Sequence, residues 1–127
     1  MMRSLDTDIN DRGSRYAVSG GRVVGRDGVQ AFLRALKREK RFAKATHNSW
    51  AVILKGDGTA LPLKGDDGEA GAGNIILRQL EAAGLTDHLI VVTRWYGGKH
   101  LGGDRFRHVQ EAARLYIATL PESGADS

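Results

Sequence analysis

The chain has 127 residues, 41% of them apolar, enough for one domain built on a single core without metal or disulfide staples. It contains no cysteine, which excludes disulfides, thiolate metal sites and cysteine nucleophiles. The formal net charge of +4 favours acidic partners without the charge blocks of a nucleic-acid tail, and no apolar run approaches the roughly 18 residues of a membrane span.

Met1 to Asp11 is polar and shows no period, so residues 1–11 are expected to form a disordered tail. This start also lacks the apolar segment of a secretion signal, which with the missing cysteines points to a cytoplasmic protein. Arg15 to Val18 reads as a first strand, followed by a glycine-studded connection whose Asp27 can cap a helix. Val29, Phe32, Leu33 and Leu36 then form the inward stripe of that helix. Lys37, Arg38, Lys40, Arg41 and Lys44 fall on its outer side and beyond its end. They suit a solvated helix terminus and equally an anion or nucleic-acid patch.

Ser49 to Lys55 alternates and is rich in β-formers, and Gly56, Asp57 and Gly58 supply a turn into a shorter strand near Ala60 to Lys64. A second helix is expected from about Asn74, with Ile75, Ile76, Leu77 and Leu80 inward and Gly84 ending it. Leu89 to Thr93 is a continuous apolar and β-branched run, the pattern of a strand covered on both faces. Arg94, Trp95 and Tyr96 follow it, then a glycine-rich loop to Gly103. Asp104 stands at a helix N-cap position, with Phe106, Val109, Ala113, Tyr116, Ile117 and Leu120 at helical spacing behind it. Residues 121–127 are expected to be a flexible tail. Residues 12–120 thus read as one α+β domain, a two-layer sandwich of about four strands and three helices.

Three constellations carry candidate chemistry. Lys99, Arg105 and the bare amides of the glycine loop could receive an anion, although neither nucleotide-loop motif is present and the glycines equally permit two tight turns. Asp66, Asp67 and Glu69 could hold a metal or act as acid and base, but they lack EF-hand spacing and stand where negative charge stabilises a helix start. His47, between Thr46 and Asn48, reads first as backbone bonding at a strand entrance, since no triad or nucleophile elbow accompanies it.

The segments TRWYGGKHLGGDRFRHVQEAA from Thr93, ATHNSWAV at Ala45 to Val52, and DDGEAGAG at Asp66 to Gly73 together resemble the IMPACT family of translation-control proteins. The resemblance covers roughly Arg12 to Ile117. It implies the fold of the second domain of ribosomal small-subunit protein five. It also implies that His47, Asp66, Asp67, Glu69, Arg94, Trp95 and Tyr96 gather on one surface of mixed charge and aromatic character. Eukaryotic members compete with a stress kinase for its ribosome-associated activating scaffold under amino-acid starvation, and carry a partner-binding domain before this one. Bacterial members carry a ferredoxin-like domain after it. The chain has room for neither, so a stand-alone form or a fragment is expected.

The reading is therefore a non-enzymatic, cytoplasmic binding domain that regulates translation or the stress response through a protein partner. Arg94, Trp95 and Tyr96 are the expected contact anchors, because these residue types most often carry interfaces. Lys37 to Lys44 would steer the partner. One alternative is an RNA or ribosome binder using the same cations, and another is an enzyme centred on His47 and the acidic turn. No catalytic residue, metal ligand, cofactor, membrane contact or small-molecule substrate is assigned.

Overall fold

Five strands form one antiparallel sheet in the spatial order β1-β2-β5-β3-β4, and four helices pack against it in the computed structural model, which describes residues 2–121. In chain order these are β1 (Arg3–Asp11), β2 (Ser14–Arg22), α1 (Gly25–Lys37), α2 (Lys40–Ala43), β3 (His47–Leu54), β4 (Leu61–Gly65), α3 (Ala72–Ala83), β5 (His88–Trp95) and α4 (Asp104–Ala118). The sheet and the α3/α4 pair make the two layers of an α+β sandwich. Its other face is covered by the side chains of α1 and α2.

Period-2 alternation explains why β5 is a continuous apolar run. Ile90 and Val92 join Tyr16, Val18 and Ala51 in a core with Ile76, Leu80, Val109 and Tyr116 of α3 and α4. Leu89 and Val91 join Ala17, Val52 and Leu54 in a second core with Val29, Phe32, Leu36 and Phe42 of α1 and α2. The central strand is therefore buried on both sides.

Two sequence expectations need correction. Residues 3–11 are not a disordered tail but an edge strand, paired with β2 from Arg3 opposite Gly20 to Asp11 opposite Ser14. Leu5, Thr7 and Ile9 supply its half-buried face, and Leu5 and Ile9 pack on the α3/α4 core. The strand count is thus five rather than four. The helix count is four rather than three because Lys40–Ala43, read as a run of cations, makes one further turn that buries Phe42. Residues 122–127 of the expected C-terminal tail lie outside the described residues.

Candidate functional site

β5 ends by delivering Arg94 into the molecule. Its register partner in β3 is His47, and both sit on the face that α3 and α4 cover. Arg94 Nη1 donates to Oε1 and Oε2 of Glu69 at 2.9 and 3.1 Å, and the Nε and Nη2 groups donate to Ser14 Oγ at 3.4 and 3.3 Å. Ser14 Oγ also accepts the Gly97 N–H at 3.1 Å, which ties the glycine loop to the β1–β2 hairpin. A Cβ at Gly97 would lie 2.1 Å from the Gly13 carbonyl carbon, so this approach requires glycine.

The acidic turn wraps around that ion pair, each carboxylate with a structural task. Asp66 accepts the N–H groups of Gly73 at 2.8 Å and Gly71 at 3.1 Å, satisfying amides at the start of α3. Asp67, held at φ 50°, accepts the Asn48 N–H at 2.7 Å, and its carbonyl oxygen lies 2.9 Å from His47 Nδ1. His47 Nε2 is 3.7 Å from Glu69 Oε2. His47, Asp66, Asp67, Glu69 and Arg94 therefore form one cluster, as the resemblance implied. Its centre is internal, however, while Asp67 stays exposed and His47 and Asp66 are half-buried: Glu69 and Arg94 are 4% and 5% exposed, which removes Arg94 as a surface anchor and Glu69 as a surface acid.

Trp95 is not part of this cluster. Neighbouring residues of a strand point to opposite faces, so burying Arg94 beneath α3 and α4 sends the indole to the α1/α2 side. There Trp95 Nε1 donates to the Arg41 carbonyl oxygen at 2.9 Å, and its ring lies 5.8 Å from that of Phe42. The Arg41 guanidinium covers Phe42 at 4.5 Å and reaches within 6.0 Å of the Trp95 centroid.

Tyr96 stays outside, 42% exposed. Its N–H is fixed by Thr46 Oγ1 at 2.9 Å, and its ring lies 5.5 Å from the Arg94 guanidinium and 5.9 Å from the His100 ring. Lys37, Arg38, Lys40, Arg41 and Lys44 are all exposed along the end of α1 and through α2, with Arg41 paired to Asp6 at 2.7 Å. Lys99 is exposed in the glycine loop, while Arg105 folds over Phe106 at 4.6 Å. Gly103, not Asp104, is the N-cap of α4. The Asp104 carboxylate instead meets Arg12 at 2.6 Å and Arg107 at 3.5 Å.

Backbone bonding by Asn48 at the strand entrance was expected, but the buried roles of Thr93, Tyr16, Asp11 and His108 escaped the sequence reading. Thr93 Oγ1 donates to Asn48 Oδ1 at 2.7 Å and Asn48 Nδ2 to the Phe42 carbonyl at 3.0 Å, all buried, which couples β3, β5 and α2. Beneath Arg94, Tyr16 is 2% exposed and burial pushes its phenol up to about 12. His108 Nε2 lies 2.8 Å from Asp11 Oδ2, and Arg12 and His108 together hold that carboxyl well below the usual carboxylate range. Their one sequence signal was position: Tyr16 alternates with Ala17 in a strand, and His108 precedes Val109 on an inward helix stripe. Among the described residues no group of three or more His, Asp or Glu is placed to hold a metal, and no helix is long and apolar enough to cross a membrane.

Comparison with known proteins adds identity to this geometry. The family model of the Impact N-terminal domain matches residues 12–117. A Saccharomyces cerevisiae protein named Protein IMPACT homolog is 36% identical over 121 residues, covering 94% of this chain and 46% of its own length. Protein IMPACT of Rattus norvegicus is 39% identical over 126 residues, 94% of this chain and 40% of its own. The chain thus spans less than half the length of these relatives. A crystal structure of a hypothetical protein superposes with a TM-score of 0.81 at 25% identity, over 94% of this chain and 58% of that one. The two-domain translational regulator Yih1 superposes with a TM-score of 0.57 at 35% identity, over 87% and 43%.

Proposed function

The chain belongs to the IMPACT family, and on that premise we propose that it serves translational control as a non-enzymatic, cytoplasmic domain that docks a protein partner. The translational regulator among its structural neighbours supports the process, though that protein is longer than the part matched here. One observation carries the docking reading: Tyr96 is exposed, yet its backbone is pinned by Thr46 and its ring stands over the buried Arg94–Glu69 pair. An aromatic held this way loses little freedom on binding, which is what a contact anchor needs.

The alternative of an enzyme at His47 and the acidic turn fits less well. Asp66 and Asp67 are engaged by backbone N–H groups, both Glu69 oxygens meet Arg94, and the Ser49 hydroxyl near His47 on β3 donates to the Asp66 carbonyl at 2.7 Å. An RNA or ribosome surface is a second reading, favoured by the five exposed cations from Lys37 to Lys44. The two readings separate in a capture experiment from the native cell with and without ribonuclease. A protein partner survives the treatment and is lost with Tyr96→Ala. An RNA-borne partner disappears with ribonuclease, and its binding falls steeply with added salt.

A further inference from the structure

An open cleft of about 600 Å³ lies on the α1/α2 side of the sheet, between β1 and the end of β5. Asp6, Asp8 and Asn10 line it along β1, Arg15 and Trp95 along β2 and β5, and Arg41 from α2. The strand geometry opens this space: between the pairs Asp6–Ala17 and Asn10–Arg15, three residues of β1 stand opposite the single residue Tyr16. The cleft already holds one guanidinium of the chain's own. Arg41 bonds Asp6 at 2.7 Å and reaches the Trp95 ring at 6.0 Å, while the Trp95 N–H on the Arg41 carbonyl fixes the indole. Asp8 and Arg15 form no ion pair among the described residues.

From this we infer that the cleft takes an arginine side chain of the protein partner, set against Trp95 and Asp8 in the way that Arg41 is set against Trp95 and Asp6, with an acidic neighbour of that arginine received by Arg15. Aromatic face and carboxylate are the two groups a guanidinium recognises together. Asp8 and the Arg41-paired Asp6 offset the two guanidiniums of the cleft, so its lining offers phosphate no net attraction despite the cations nearby. The inference rests on the protein-docking reading above and supplies the chemistry of the partner.

Its test is a titration of the isotope-labelled chain with acetyl-Glu-Arg-Glu-amide, followed at the Trp95 indole N–H resonance. Binding should shift that resonance, and both Asp8→Asn and the peptide with citrulline in place of arginine should weaken it about tenfold. Arg41→Ala should tighten it, because the internal competitor is gone, and amide spectra check that each variant keeps its fold. Equal affinity for the citrulline peptide, indifference to Asp8→Asn, or displacement of the peptide by oligouridine would each overturn the assignment. The same titration separates the two proposals. A cleft that binds the arginine peptide while partner capture ignores Tyr96→Ala leaves this inference standing and removes the Tyr96 anchor. A cleft that binds nothing while Tyr96→Ala abolishes capture does the reverse.

Discussion

Arg94 reaches Glu69 through a single nitrogen, with Nη1 2.9 and 3.1 Å from the two carboxylate oxygens, and both side chains are about 95% removed from solvent at 6% and 5% exposure. The pair joins the end of the central strand to the turn before α3, so it holds in place the backbone that leads to Tyr96 and the turn that meets His47. Removing one partner leaves a buried charge without its counterion. Glu69→Ala should therefore cost about 3–5 kcal/mol of stability. Replacing both, Glu69→Leu with Arg94→Met, should cost less than the sum of the single changes. Urea unfolding of the three variants measures it, and additive losses would show that the two charges are independent.

Gly97→Ala tests how the glycine loop is attached. The added methyl has no room, since the atoms nearest it are backbone of Gly13 and Ser14 at 2.1 to 2.5 Å. Either the β1–β2 hairpin or the end of β5 must move, at about 1–3 kcal/mol for overpacking. Gly98→Ala meets no atom within 4 Å but sits at φ +94°, so it bears backbone strain alone. Thermal melts of both variants, with amide spectra at Ser14, distinguish the clash from the strain.

Stability should decline on both sides of neutral pH for reasons of burial. Burial holds His88 below its ordinary value of 6.5, so folding disfavours the imidazolium. The unfolded imidazole takes up its proton near 6.5 while the folded one stays neutral beside the Tyr116 hydroxyl at 2.7 Å. Stability from this group is present above pH 6.5 and is lost as the pH falls through the lower folded value. On the alkaline side burial pushes Tyr16 from 10.0 up to about 12 and raises Tyr116 as well. Their neutral forms are favoured in the fold, so stability is full below pH 10 and declines as the pH rises from 10 to about 12. Unfolding free energies across pH check this, and Tyr16→Phe should flatten the alkaline arm.

The central run Leu89 to Thr93 was legible because a strand buried on both faces needs no polar residue, and its apolar continuity says so. The α1 and α3 stripes were legible for the same reason at helical period. β1 was not, because Leu5, Thr7 and Ile9 alternate with Asp6 and Asp8 so that only one edge is half-buried, and the polar majority conceals the period. Of the residues expected on one surface, His47, Asp66, Asp67, Glu69 and Arg94 lie together, but Glu69 and Arg94 are buried and Trp95 lies on the other side of the sheet. Extending the β5 alternation by two residues would have sent Arg94 and Trp95 to opposite faces. What no alternation could supply is the partner of Arg94, since Glu69 lies 25 positions away in a turn where an acid also suits a helix start.

Trp95→Ala should act on packing as well as on recognition. The indole lies on Phe42 and bonds the Arg41 carbonyl, so its loss loosens α2 from the sheet. Truncating a large aromatic in a core costs about 3–5 kcal/mol, and this half-buried one should fall below that range. Amide exchange should rise first in α2, residues Lys40–Ala43, while α3 and α4 on the opposite face keep their protection.

Capture of the partner by the intact chain and by Tyr96→Ala, from ribonuclease-treated lysate of the native cell, addresses the docking account most directly. The account predicts that capture by the unaltered chain survives ribonuclease, and that the variant, with its unfolding temperature unchanged, loses most of it. Capture that vanishes with ribonuclease, or that Tyr96→Ala leaves intact, would contradict it.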